Sequence, residues 1–277
     1  VRGMKRVLNV SVCQTDVLWE DPDGNRMRLE RLVNGHMRSL RQGLRPDLIV
    51  LPEFFTTGFT ANTEYAESVS GPTLQWMRGI ASNSGAAVAG SVQVADRGLI
   101  HNRMYFVCPD GRVELYDKRH LFRMSGENEV FASGSVRKTV EYLGWRIGLN
   151  VCYDLRFPVW SRNTGEYAYD VMLNVASWPS SRIEAASILA HARAVENQSW
   201  FVFCNRTGES PEDSYSGGSL IVDYKGRSVG HLTQCGEMRG QEGFLEASLD
   251  IEDLHKFRKK FPAWMDADKF EIIDDDR

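Results

Sequence analysis

A carboxylate and a thiol each stand just past an apolar run, where a strand interior would not tolerate them and where chemistry could begin. Leu48-Ile49-Val50-Leu51 leads into Pro52-Glu53-Phe54-Phe55-Thr56-Thr57-Gly58-Phe59. A carboxyl hemmed by aromatic rings is partly desolvated, which raises its pKa towards the range useful to a general base. Taken alone, Glu53 reads more readily as a solvated loop carboxylate. Ile147-Gly148-Leu149-Asn150-Val151 leads into Cys152-Tyr153-Asp154-Leu155-Arg156, and residues 154–161 read as the start of a helix. Helix N-terminal amides at such a turn favour a thiolate and can donate to a developing oxyanion. A free cysteine is usually a small buried hydrophobe, and Cys13, Cys108, Cys204 and Cys235 read that way. A third segment, Tyr116-Asp117-Lys118-Arg119-His120-Leu121-Phe122-Arg123, interleaves bases with aromatic and apolar residues, so some members turn inward. An inward lysine needs a carboxylate partner. A cysteine–histidine pair would have to use His120, but no Asn or Asp stands at a recognisable orienting position.

The elements that position these groups follow from periodicity. Val7 to Val12 reads as a strand, and residues 26–44 place Met27, Leu29, Leu32, Val33, Met37 and Leu40 at near-helical spacing. Leu48 to Leu51 is a continuous apolar run, as in a strand covered on both faces, and residues 86–94 repeat the pattern after a helix around 74–81. Residues 103–108 and 113–116 flank Pro109-Asp110-Gly111-Arg112, a hairpin signal. Strands follow at 145–151 and 171–175, a helix at 183–197 and a strand at 201–204. Residues 219–222 and 228–231 bracket Asp223-Tyr224-Lys225-Gly226-Arg227 as a second hairpin, and 244–249 precedes a charged helix at 251–260. Strands and helices mixed with hairpins predict a mixed sheet or paired sheets with helices outside, in one domain.

Composition narrows the class. The 277 residues are 42% hydrophobic and 25% charged, with 33 bases against 37 acids for a formal charge of −4. These proportions exclude a collagen, a disordered tail or a small disulfide scaffold. The acidic balance lacks the basic footprint of a nucleic-acid binder, and no apolar stretch approaches the length of a membrane helix. Five scattered cysteines with no CxxC, and no HExxH, argue against zinc and for a reducing, cytoplasmic location. Met4 reads as a natural start, with residues 1–3 a leftover, and residues 271–277 as a solvated tail.

The segments carrying Glu53, Lys118 and Cys152 resemble the nitrilase, or carbon–nitrogen hydrolase, superfamily. They match as Leu51-Pro52-Glu53, Tyr116-Asp117-Lys118 and Val151-Cys152-Tyr153-Asp154-Leu155-Arg156-Phe157-Pro158, in that superfamily's chain order. The resemblance continues through Asn174-Val175-Ala176-Ser177-Trp178-Pro179, Ala192 to Gln198 and Asn205-Arg206-Thr207-Gly208, to the segment 260–268. The flanks His120-Leu121-Phe122-Arg123-Met124, Cys152 to Arg162 and Phe261 to Asp268 look like the bacterial ω-amidase branch.

That resemblance implies an α/β fold, a four-layer α-β-β-α sandwich of two mixed sheets with outer helices, in one hydrolase domain over residues 1–277. It implies an amidase that releases ammonia from a terminal carboxamide, an α-keto acid ω-amide such as 2-oxoglutaramate or 2-oxosuccinamate. Cys152 would be the nucleophile, Glu53 the proton carrier, and Lys118 with the Tyr153 N–H the oxyanion stabilisers. Glu127, rather than Glu129, would be the second acid of the family, orienting Lys118. Phe59, Trp178 and Arg182 would border the substrate, with Arg182 a partner for its carboxylate, whereas Arg156 would pair structurally with Asp154. The implied partners are the small amide and water, with no cofactor or metal, no nucleic acid and no membrane, in a homodimer. Relatives often carry His-Trp where this chain has Ala185-Ala186, a change that would reshape whatever pocket the pair lines. Another amidase, an N-carbamoyl amide hydrolase or a catalytically silent binding protein are the rival readings.

Overall fold

Apolar strands that need cover on both faces, and helices with one apolar stripe, satisfy each other by layering. The computed structural model describes residues 5–40 and 45–273. Its first half runs β1 (Val7–Gln14), α1 (Pro22–Ser39), β2 (Leu48–Val50), β3 (Glu67–Ser68), α2 (Pro72–Ser84), β4 (Ala87–Asp96), β5 (Leu99–Val107), β6 (Val113–Asp117) and α3 (Glu127–Val130). The second half runs β7 (Thr139–Tyr142), β8 (Trp145–Val151), β9 (Val171–Ala176), α4 (Ile183–Glu196), β10 (Trp200–Asn205), β11 (Thr207–Glu209) and β12 (Ser214–Ser216). It closes with β13 (Leu220–Val222), β14 (Ser228–Val229), β15 (His231–Thr233), β16 (Gly243–Asp250) and α5 (Ile251–Lys260).

The strands form two large mixed sheets. The first has the order β15-β16-β1-β2-β4-β5-β6, with β3 added on β4, and the second β14-β13-β10-β9-β8-β7. Alternation sorts the first sheet's faces. Cys13, Ile49, Val88, Tyr105 and Phe244 pack with Leu29, Leu32, Val33, Met77 and Ile80 of α1 and α2. Val10, Val12, Val50, Ala89 and Phe106 join the core that holds the second sheet. The Cys204 thiol, on β10, reaches the carbonyls of Val50 (3.5 Å) and Cys13 (3.7 Å) across that interface. Buried alanines of α4 and Ile251 and Leu254 of α5 complete the same core. The four-layer sandwich is therefore as expected.

Differences from the sequence reading have local causes. Helix α1 begins at Pro22, where Asp21 accepts the Gly24 N–H (2.9 Å) and proline presets the first turn. It ends at Ser39, short of the expected 44; residues 41–44, like 1–4 and 274–277, lie outside the described residues. The 109–112 turn does join β5 to β6, with Gly111 at φ 89°. The expected strand 228–231 is split at Gly230. β14 stays in the second sheet while β15 crosses to the first, and a Cβ at Gly230 (φ 88°) would fall 2.5 Å from the Glu246 carbonyl. The helix expected from 154 is instead a 3-10 turn over Cys152–Arg156. Pro158 bars the helical conformation at Phe157, which takes φ −111° and ψ 93°.

Candidate active site

Parallel strands of both sheets deliver their carboxyl ends to one place. Glu53 follows β2, Lys118 follows β6, and Cys152 and Ser177 follow β8 and β9. Glu53 and Lys118 have no exposed side-chain area, and Glu127 is all but buried on α3. Lys118 Nζ donates to Glu53 Oε1 (2.9 Å) and to both oxygens of Glu127 (3.0 and 2.8 Å). The Ser177 N–H donates to Glu53 Oε2 (2.8 Å), and its hydroxyl to the Glu53 carbonyl (3.0 Å). Glu127 also accepts the Phe122 N–H (2.6 Å), so it ties the 118–127 loop to the ammonium. Glu129, by contrast, is exposed.

The cysteine is held in an unusual backbone. Cys152 has φ 45°, left-handed for a residue with a side chain, a conformation that costs ~1–3 kcal/mol and persists only where its surroundings fix it. Asp154 does much of that fixing. It accepts the Val151 N–H (3.0 Å), the Tyr116 hydroxyl (2.6 Å), the His120 N–H (2.9 Å) and His120 Nδ1 (2.8 Å). The turn bearing the thiol is thereby pinned to the segment bearing Lys118. His120 is committed to Asp154 and stacks on Phe157 (3.7 Å), which explains its presence without a role as the cysteine's base. Arg156 does not pair with Asp154. Its guanidinium lies over the Trp178 ring (5.1 Å).

Burial sets the protonation states. It pushes the Cys152 thiol well above its ordinary pKa, as does the charge of Glu53, against the pull of Lys118. Burial and the neighbouring Glu53 carboxyl therefore favour a thiol over a thiolate at Cys152. Burial works against the Lys118 ammonium, but Glu127 and Glu53 outweigh it and hold the pKa above the usual lysine value. Burial raises Glu127, reinforced by Glu53 and opposed by Lys118.

A cavity of about 260 Å³ opens onto this cluster. Cys152, Tyr153, Glu127, Phe59, Trp178 and Arg182 all line it, so each expected pocket residue reaches the same space. Phe59 places its ring 5.4 Å from Lys118 Nζ. Neither Ala185 nor Ala186 lines it; Ala186 is packed in the core under α4. The sequence reading missed Trp19, Phe122, Phe131, Arg156 and Tyr215 in the cavity lining. It also missed Ser177 and Asn102; Asn102 Nδ2 donates to Glu53 Oε1 (2.8 Å) and Glu127 Oε1 (3.1 Å). Ser177 lay in a quoted segment beside Trp178, whereas Asn102 sits mid-strand with no local signal. Arg156 and Arg182 face the cavity with no carboxylate partner among the described residues. The arrangement offers a nucleophile, an adjacent base, an ammonium and two cations beyond them.

Comparison with known proteins agrees with that chemistry. Residues 9–259 match the family described as carbon-nitrogen hydrolase. Omega-amidase YafV of Yersinia enterocolitica is 40% identical, over 96% of this chain and 99% of that protein. The 2-oxoglutaramate amidase of Bacillus subtilis is 31% identical, over 94% and 97%. Among solved structures, XC1258 of Xanthomonas campestris, a CN-hydrolase superfamily protein with an arsenic adduct in its active site, is 38% identical. It superposes with a TM-score of 0.88, covering 97% of this chain and 100% of that one.

Proposed function

This chain belongs to the carbon–nitrogen hydrolase family, and we propose that it is an ω-amidase, freeing ammonia from the terminal carboxamide of a small α-keto acid such as 2-oxoglutaramate or 2-oxosuccinamate. The observation that carries the reading is a buried Glu53–Lys118–Glu127 cluster beside Cys152, under a cavity whose lining includes two arginines without carboxylate partners among the described residues. The omega-amidase and 2-oxoglutaramate amidase relatives support the same substrate class.

An amide is a weak electrophile and ammonia a poor leaving group, so attack and proton delivery must be coupled. Cys152 Sγ bonds to the amide carbon while Glu53 takes the thiol proton. The carbonyl oxygen becomes an oxyanion held by Lys118 and by the Tyr153 N–H, which the first turn of a helix leaves without an internal partner. The oxyanion collapses, the C–N bond breaks, and Glu53 returns its proton to the nitrogen as ammonia leaves. Water then attacks the thioester carbon as Glu53 takes its proton, and the C–S bond breaks as that proton returns to sulfur. Glu127 holds Lys118 in place, and Arg156 and Arg182 take the substrate carboxylate. No step calls for a metal or an organic cofactor.

The test is ammonia release across keto-acid amides, simple ω-amides and N-carbamoyl amino acids. Keto-acid amides are expected to give the highest kcat/KM, and Cys152→Ala and Glu53→Gln to be inactive with the fold intact. Preference for a substrate without the keto acid would remove the ω-amidase assignment, and an active Cys152→Ala would remove the nucleophile. The same proposal takes the enzyme as one catalytic domain that works as a cytoplasmic homodimer. Five unpaired cysteines and the exposed Phe261, Trp264 and Met265 support it, and a monomer in sedimentation at working concentration would count against the pairing.

A further inference from the structure

We propose that Asn102 is a positioning residue for the reaction, its amide nitrogen wedged between Glu53 and Glu127 to hold both carboxylates in place around Lys118; the inference rests on the amidase reading above. Asn102 is fully buried on β5, opposite Gln93 of β4. Its Nδ2 donates to the Oε1 atoms of Glu53 (2.8 Å) and Glu127 (3.1 Å), the atoms that Lys118 Nζ also reaches at 2.9 and 3.0 Å. Its carbonyl accepts the Lys118 N–H (3.0 Å). One residue thus fixes the root of the lysine and the two anions at its tip.

The chemistry demands an amide there. Two carboxylate oxygens on one side accept only, so nitrogen must face them. Asn102 Oδ1 is buried and has no partner among the described residues. The side chain's hydrogen bonds therefore all go to the carboxylates, none to backbone, which is the opposite of a merely structural asparagine. Two carboxylates share one ammonium, so the buried cluster carries a surplus negative charge while Cys152 is a thiol. A neutral donor relieves that repulsion without adding a second cation that would clamp the base. With Asn102 Nδ2 on Oε1 and the Ser177 N–H on Oε2, the Glu53 carboxyl is fixed in orientation towards the thiol it serves. When Glu53 accepts the thiol proton, Nδ2 retains Glu127 as a partner.

The charged and titratable groups around this site are few. Lys118 comes from the end of β6, Glu127 from α3 and Cys152 from the turn after β8, while Tyr215 of β12 feels the charge of Glu53. The neighbours on β5 turn away, Arg103 to Asp117 and Asp96, and His101 to the Ala132 carbonyl.

The experiment compares the full-length enzyme with Asn102→Leu and Asn102→Ser. It reads kcat/KM for 2-oxoglutaramate, and the rate of Cys152 alkylation by iodoacetamide, across the pH range. Alkylation needs no substrate turnover yet draws on the same base. Both variants are expected to shift the acid limb of both profiles upward by about one pH unit, with at least a tenfold loss of kcat on the acid side and KM within about twofold. Acid limbs that stay in place, a loss independent of pH or a change confined to KM would overturn the inference. So would failure of both variants to fold, which would make Asn102 structural. A wild-type enzyme that hydrolyses no keto-acid amide would sink the amidase reading instead, leaving the alkylation profiles to decide the role of Asn102.

Discussion

Arg156 and Arg182 show how much a single side chain's direction decides. Both guanidinia border the cavity, one over Trp178 and the other over Phe122 (5.4 Å). A charge-assisted hydrogen bond to a carboxylate is worth about 1.5–3 kcal/mol. Arg156→Gln should therefore lower kcat/KM for 2-oxoglutaramate tenfold to a hundredfold and spare an uncharged ω-amide, a contrast that steady-state kinetics on the two substrates reads directly. Equal losses on both would show that the arginine supports the turn rather than the substrate. From the sequence alone Arg156 looked like Asp154's partner because the two are near neighbours on one turn. Asp154 instead collects the Val151 N–H within its own turn and, from across the fold, donors of Tyr116 and His120. Glu53 and Cys152 stood out because each breaks an apolar pattern within its own segment, whereas Lys118 was picked from a basic cluster only through the family resemblance. Asn102 breaks none, since its partners lie on other elements.

At the scale of elements, the segment between β6 and β7 must close tightly on itself to bring Glu127 back to Lys118. The Gly134 N–H donates to the Lys118 carbonyl (2.8 Å), and a Cβ at Gly134 would sit 2.1 Å from the Asp117 carbonyl oxygen. Backbone on that side has no freedom to yield, so Gly134→Ala must push the two strands of chain apart. Overpacking of this kind costs roughly 1–3 kcal/mol. Thermal unfolding should show that loss, and turnover should fall further than stability because Glu127 moves with the segment. Unchanged turnover would mean that the Glu127 contact tolerates the displacement. Long periodic elements were read well, with β8 and α5 matching residue for residue, because one apolar period spans each. The short strands β3, β7, β11 and β12 carry too few residues to show a period, and long-range pairing forms them.

For the whole molecule, pH acts through buried groups far from the catalytic cluster. His36 of α1 stacks on Phe244 (3.9 Å), bonds to the Ser11 hydroxyl (2.9 Å) and lies 3.4 Å from Glu246. Burial lowers its pKa from 6.5 to about 4. The unfolded chain then binds the proton more readily, so stability is complete above about pH 6.5 and declines as pH falls towards 4. Burial raises Glu246, which works in the opposite sense. Denaturant unfolding of wild type and His36→Gln isolates the histidine. The stability gap between them should narrow by on the order of 2 kcal/mol from pH 7 to pH 4.5, and a constant gap would refute the assignment. Patterning indicated a mixed sheet or paired sheets with helices outside, and the family resemblance supplied the four-layer order; the convergence of both sheets on one cleft was not in the patterning, because no local spacing records which strand ends meet. The shielded thiol has a last consequence, for survival under stress. Peroxide oxidises sulfur through its anion, and burial beside Glu53 disfavours that anion at Cys152, so slow inactivation by peroxide in the absence of substrate is the expected outcome.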